Sequence, residues 1–271
     1  MSYLETYAQW VTQTAGDPQL QQELLGLSGD LPAIEERFYR ELEFGTGGLR
    51  GVMGAGSNRM NRYTVAKATQ GYSSYLRKNW ERPSVAIGYD SRLHSEAFAR
   101  TAAAVFAANG VIVRLYPRLM PTPALSFAVR DLGCSGGVVI TASHNPAEYN
   151  GYKVYGSDGC QITTRTAREI QREIDAVHPF FDVKWADFEE KLAQGWIHCI
   201  GEETVERYLE AVSAVSLLPA DTGRDLKIVY TPLNGAGISC VPLCLEAHGF
   251  TGLILPEEQK TPDGQIGRAH V

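Results

Sequence analysis

Ser143 and His144 lie in the run Val138-Val139-Ile140-Thr141-Ala142-Ser143-His144-Asn145-Pro146, and Lys153 follows in Asn150-Gly151-Tyr152-Lys153. A hydroxyl beside an imidazole, with an ammonium arriving on the next extended segment, can accept a group and pass it on. Three apolar β-formers leading into a small polar loop are how a buried strand delivers a reactive side chain to the edge of a sheet. Pro146 has no N–H and biases Asn145 away from the α region, so the loop cannot roll into a helix and Ser143 is expected on a constrained turn. Read singly, Thr141, Ser143 and Asn145 are also ordinary turn formers.

Two further loops carry candidate groups. Phe44-Gly45-Thr46-Gly47-Gly48-Leu49-Arg50-Gly51 has four glycines in eight residues and breaks every regular pattern. No Gly-Lys-Ser/Thr follows, and Arg50 stands where a dinucleotide fingerprint needs its last glycine, so neither nucleotide motif fits. Glycine lets backbone N–H groups approach an anion, and Arg50 offers a planar donor for phosphate; a flexible hairpin is the plain alternative. The short apolar strand Val85-Ala86-Ile87 ends in Gly88-Tyr89-Asp90-Ser91-Arg92. In open α/β sheets the functional loops sit at strand carboxyl ends, which places Asp90 and Arg92 around the site, although an Asp-Arg turn can equally be a structural ion pair.

Thr-Ala-Ser-His-Asn-Pro followed by Asn-Gly-x-Lys resembles the active-site serine loop of the α-D-phosphohexomutases, the phosphoglucomutase and phosphomannomutase superfamily. The Gly-Thr-Gly-Gly-Leu-Arg and Gly-x-Asp-x-Arg segments are similar to two more of its loops. The resemblance runs from about residue 44 to 264. It implies a serine, Ser143, that carries a phosphoryl group and moves phosphate between C1 and C6 of a hexose, most simply glucose. Mg²⁺ would be held in part by the phosphate on Ser143, and a hexose 1,6-bisphosphate would be intermediate and activator. Arg50 would bind phosphate, and Lys153 and His144 would serve proton transfer and charge stabilisation. Asp90, Arg92, Asn145 and Asn150 would shape the site. Three other readings stand beside this one. A serine hydrolase lacks its Gly-x-Ser-x-Gly here; a mutase of mannose, pentose or aminosugar phosphates would share the same loop; and an orphan domain could bind a phosphate or a partner without catalysis.

The elements that must position these loops alternate. Residues 3 to 42 have helical spacing and form an N-terminal extension over 1–43, with a third helix opened by Asp30-Leu31-Pro32 and carried through Ile34, Phe38 and Leu42. Strand and helix then take turns through a helix from Arg62, the strands at 85–87 and 111–113, helices near 94–109 and 121–132, the serine strand, and a helix bearing Ala167, Ile170, Ile174 and Val177. That alternation predicts an α/β fold: a layered αβα domain over 44–200 with a mainly parallel mixed sheet. A helix over 203–217 and a strand at 226–230 open a second, similar domain over 201–264. It holds too few strands to cover a two-faced sheet and is expected to be truncated. Residues 265–271, from Ile266 in particular, resemble a translated sequencing adapter and are set aside. The expected Asp-rich magnesium loop does not occur, and this chain alone is expected to be inactive.

With 271 residues, 44% hydrophobic and 21% charged, the chain has the composition of an ordinary globular protein with one large or two ordinary domains. A net charge of −6 argues against general binding to nucleic acid or an anionic membrane, because no basic excess exists to neutralise phosphates. A small phosphosugar partner needs only a local cationic cluster. Five scattered cysteines are expected to be reduced and mostly structural thiols, no leader or membrane span is apparent, and a cytoplasmic location is expected. Composition says nothing of oligomeric state.

Overall fold

Three capped helices open the chain: α1 (Tyr3–Gln13), α2 (Pro18–Gly26) and α3 (Leu31–Phe38). Ser2 and Glu5 form a reciprocal capping box, and the Asp17 and Asp30 carboxylates accept the Leu20 and Ala33 N–H groups. Trp10, Leu24, Ile34 and Phe38 bury their side chains together against Ala55. In this computed structural model, which describes residues 2–219 and 222–265, α3 stops at Phe38 rather than running to Leu42. Leu42 N–H instead donates to the Ser57 carbonyl at 2.8 Å, and that bond draws the chain onto the turn at 53–60.

The main body follows as β1 (Gly48–Val52), α4 (Arg62–Asn79), β2 (Ser84–Tyr89), α5 (Ser95–Ala108), β3 (Ile112–Leu115), α6 (Thr122–Asp131), β4 (Gly136–Ile140), β5 (Tyr149–Gly156), α7 (Thr164–Asp175), α8 (Phe188–Ala193) and β6 (Ile197–Cys199). Its six strands form one mixed sheet in the order β1-β5-β4-β2-β3-β6. The pairs β2/β3, β2/β4 and β3/β6 are parallel, whereas β5 runs antiparallel to both β4 and β1. On one face Val85, Ile87, Val138, Ile140, Tyr152 and Val154 pack into a core shared with α4, α5 and α7. On the other, Ala86, Val139 and Tyr155 meet Leu125 and Val129 of α6. The layered αβα arrangement predicted from the alternation is therefore present.

Two elements escape the pattern. The glycine-rich stretch, expected as a loop, contains β1, an edge strand held by its pairing to β5 from Gly48↔Lys153 to Val52↔Tyr149 rather than by β-propensity. The three-residue β6 and the one-and-a-half-turn α8 are too short to announce themselves by periodicity. Beyond them come α9 (Glu202–Ser213), β7 (Ile228–Val229), a 3₁₀ turn at Ala236–Ser239, α10 (Val241–Ala247), β8 (Leu253–Ile254) and α11 (Glu257–Lys260). α9 ends four residues short of the expected 217. β7 and β8 pair parallel in a separate two-stranded sheet. This C-terminal part touches the main body where Cys240 is buried with Tyr116, Met120, Ile200 and Val205. Residues 266–271, the bulk of the segment set aside above, lie outside the described residues. No helix among the described residues is long and apolar enough to cross a membrane.

The N-terminal helices hold the turn that follows β1. Glu23 Oε2 accepts the Ala55 N–H at 2.9 Å, and Arg37, ion-paired to Glu23, donates to the Ala55 carbonyl at 3.1 Å. Asn61 Nδ2 closes the same turn on the Gly54 and Gly56 carbonyls, both at 2.9 Å. Glu23→Ala leaves the Ala55 amide and the Arg37 guanidinium without that acceptor. It is expected to lower stability by about 1–3 kcal/mol, measured as a reduced midpoint of urea unfolding.

Candidate active site

β2 and β4 are parallel neighbours with Tyr89 opposite Ile140, so their carboxyl ends release the Asp90–Arg92 turn and the Thr141–Pro146 loop side by side. Asp90 N–H donates to the Ile140 carbonyl at 3.2 Å, and Thr141 N–H donates to the Gly151 carbonyl at 3.0 Å. Gly151 is needed for that second approach: a Cβ there would lie 2.6 Å from the Thr141 carbonyl oxygen and 2.9 Å from that of Leu49.

Ser143 is exposed and has φ 57°, the left-handed region. That conformation costs a non-glycine residue about 1–2 kcal/mol, and the surroundings over-determine it. Thr141 Oγ1 accepts the Ser143 N–H at 3.0 Å while donating to Asp90 Oδ2 at 2.6 Å. The buried Arg92 guanidinium lies beneath the loop and donates to four carbonyls: Ser143 at 2.8 Å, Asn145 at 2.5 Å, Pro146 at 2.8 Å and Tyr149 at 3.1 Å. Asp90 closes the arrangement, accepting from Arg92 N–H at 3.0 Å and Ser95 Oγ at 2.8 Å, with its Oδ2 3.6 Å from Arg92 Nε.

The expected residues thus occupy distinct layers. Ser143 and His144 are exposed on the turn, and Asn145 is half-buried with its Oδ1 lacking a hydrogen-bond partner among the described residues. Arg50 and Lys153 come from neighbouring strands: Arg50 is opposite Gly151, and Lys153 is opposite Gly48 on one side and Val139 on the other. Period-2 alternation therefore puts both cations on the α6 face of the sheet, at the edge beside the serine loop. Asn150 is fully buried. Its amide donates to the Leu93 carbonyl and to Ser95 Oγ, both at 3.0 Å, and its Oδ1 accepts the Gly151 N–H at 2.7 Å, tying β5 to the start of α5. Sequence reasoning passes over Thr141 and Ser95. The signal for Thr141 is its place two residues before Ser143, the spacing at which a hydroxyl caps a turn amide.

Burial, and next the Arg50 guanidinium, hold the Lys153 ammonium below its ordinary pKa, with the Asp90 carboxylate opposing. A lysine lowered on folding binds fewer protons in the native state, so its penalty to folding is full below the folded pKa and disappears as pH rises towards 10.5. In Arg50→Gln the Lys153 pKa should rise while remaining below 10.5, because burial, the larger cause, is untouched. NMR titration of the Lys153 Cε resonance checks this. An unchanged pKa would mean that the two cations do not sense each other.

Comparison with known proteins gives this geometry a family. Residues 41–179 match the model described as phosphoglucomutase/phosphomannomutase, alpha/beta/alpha domain I. A phosphoglucomutase of Staphylococcus epidermidis is 39% identical over 235 residues, 86% of this chain and 42% of the relative, and that of Staphylococcus haemolyticus is 37% identical over 225 residues, 83% and 40%. The chain therefore spans about two fifths of the length of the curated relatives it matches. Among solved structures, a Thermus thermophilus protein assigned as a phosphomannomutase superposes with a TM-score of 0.70 at 28% identity, covering 83% of this chain and 47% of that one. With more than half of its residues inside the family model and the serine loop at the carboxyl edge of the sheet, the chain belongs to the phosphoglucomutase/phosphomannomutase family.

Proposed function

We propose that the protein of which this chain forms part interconverts hexose 1-phosphate and hexose 6-phosphate through a phosphoserine at Ser143. The observation that carries the reading is an exposed serine, fixed in a left-handed turn by Arg92 and Thr141, at a sheet edge shared with Arg50 and Lys153. Phosphoryl transfer asks a protein mainly for in-line positioning and for neutralisation of the phosphoryl oxygens. The Ser143 Oγ–phosphorus bond breaks as a bond forms from the sugar hydroxyl to phosphorus, and the hydroxyl proton passes to a base. The bisphosphate reorients, and its other phosphate returns to Ser143. Arg50 grips phosphoryl oxygens with its planar fork, and Lys153 and His144 carry protons and stabilise charge.

Glucose phosphate is the preferred substrate on the strength of the phosphoglucomutase relatives, which are more similar than the phosphomannomutase-assigned structure. Magnesium, bound to the phosphate on Ser143, and a hexose 1,6-bisphosphate activator belong to the same proposal. Among the described residues no three His, Cys, Asp or Glu side chains stand together to hold a metal ion, so these residues alone do not build its site. We place residues 1–43 as a helical extension, 44–200 as the first domain and 201–264 as the start of the second, in a cytoplasmic enzyme acting on a small molecule without nucleic acid or membrane.

Peptide mass spectrometry of the complete gene product should find phosphate on Ser143, and Ser143→Ala should abolish turnover of glucose 1-phosphate. Phosphate found only elsewhere, or full activity in that variant, would remove the assignment; faster turnover of mannose 1-phosphate would change the sugar. Arg50→Lys keeps the charge but loses the bidentate fork, and kcat/KM should fall by roughly 10²-fold with the fold intact. Circular dichroism beside steady-state kinetics separates the two effects.

A further inference from the structure

The turn at Leu233-Asn234 has two consecutive non-glycine residues in the left-handed region, with φ 49° and 55°. Such a pair persists only where neighbouring contacts fix it. Asn234 is buried, and its Nδ2 forks to the Glu258 carbonyl at 2.9 Å and the Thr261 carbonyl at 2.7 Å. Its own carbonyl accepts the Asp263 N–H at 3.1 Å, and Leu233 N–H donates to Gln259 Oε1 at 3.2 Å. One turn thereby sets the path of residues 258–263.

That path ends against the candidate site. A Cβ on Gly264 would lie 2.5 Å from Leu93 N, 2.9 Å from the Ser91 carbonyl oxygen and 3.0 Å from Arg92 C. All three are backbone atoms and cannot rotate aside, so only glycine fits. They belong to the turn that carries Arg92, whose guanidinium holds the Ser143, Asn145, Pro146 and Tyr149 carbonyls. A second attachment supports the neighbouring loop: Ser239 Oγ donates to the Leu119 carbonyl at 2.9 Å, and Met120 N–H donates to the Tyr89 carbonyl at 2.9 Å.

We infer that Asn234 and Gly264 are positioning residues for the serine loop: the C-terminal part of the chain braces the Ser91–Leu93 turn, and through Arg92 it fixes the backbone of Ser143. The functional consequence rests on the reading of Ser143 as phosphoryl carrier; the mechanical coupling does not. A clash at Gly264 should displace Ser91–Leu93, slacken the guanidinium beneath the loop, and free the Ser143 and Asn145 amides that now donate to Thr141 Oγ1 and to the Ala142 carbonyl.

Hydrogen–deuterium exchange on the full 271-residue chain tests this, with peptides spanning 141–149 as the readout and peptides from α4 as the internal reference. Gly264→Ala should accelerate exchange in 141–149 by about tenfold and leave α4 unchanged. Asn234→Gly keeps the left-handed backbone and removes the side-chain hydrogen bonds to the Glu258 and Thr261 carbonyls; it should produce the same acceleration and decides the matter if Gly264→Ala loosens α4 as well. Arg92→Lys, which breaks the clamp directly, sets the maximum. Exchange in 141–149 that stays at the wild-type rate in Asn234→Gly or in Gly264→Ala, while Arg92→Lys accelerates it, would overturn the brace and leave the mutase reading intact. Failure to find phosphate on Ser143 would remove the mutase reading and leave the exchange result standing.

Discussion

A single buried guanidinium determines the shape of the serine loop. Burying a cation is expensive unless its donors are satisfied, and Arg92 finds four carbonyls and the Asp90 carboxylate. The converse matters more for chemistry. A loop that turns four carbonyls inward needs a donor array that reaches them all, and the planar, five-donor fork of arginine does so where a lysine ammonium would not. Because the clamp bonds backbone and leaves the hydroxyl alone, Ser143 keeps its side chain exposed and available while its φ, ψ and amide are fixed. The strain of its left-handed conformation is localised at a residue whose carbonyl and amide are both held.

The positioning of that clamp follows from sheet topology. Parallel pairing of β2 with β4 brings two loops to the same carboxyl edge, so Asp90 and Arg92 reach under Thr141–Pro146 although some fifty residues separate them in sequence. The antiparallel turn into β5 then carries the chain straight back, and Lys153 lands beside Val139 with β1 and Arg50 on its far side. A fully parallel sheet would need a helical crossover after Ser143 and would send the next strand away from the site. The mixed pairing is thus what lets a short loop sit between two cationic strands.

Much of this is legible from residue order, and the remainder is hidden for physical reasons. Alternating apolar segments point to the αβα layers because amphipathic period is a local property. The Ser143, Arg50 and Lys153 loops stand out because runs of small polar residues and glycine break that period. β1 is hidden because the four glycines of the 44–51 stretch, two of them in the strand itself, erase β-propensity and the strand is held by its pairing to β5. Residue order places Arg92 near the site, but its task cannot be read there: no sequence rule says that one side chain will collect the carbonyls of residues 143, 145, 146 and 149. Asn150 reads as part of the loop it adjoins, whereas alternation along β5 turns it fully into the interior. Thr141 is the reverse, an apparent turn former whose hydroxyl is the link between Asp90 and the Ser143 amide.

The two cations at the sheet edge add a last constraint. Like charges on adjacent strands are unfavourable, and the depressed pKa of Lys153 registers partial burial first and that repulsion second. A sheet edge shaped only for stability would place a carboxylate or an apolar residue at one of these positions. Asp90 offsets part of the charge, but its oxygens are already committed to Thr141, Ser95 and the Arg92 backbone, and it cannot turn to neutralise either cation fully. An anion close to both cations would relieve the repulsion and raise the Lys153 pKa, so its binding and the protonation of Lys153 would reinforce each other. The paired cations are therefore an electrostatic cost at this sheet edge, one that Asp90 offsets only in part.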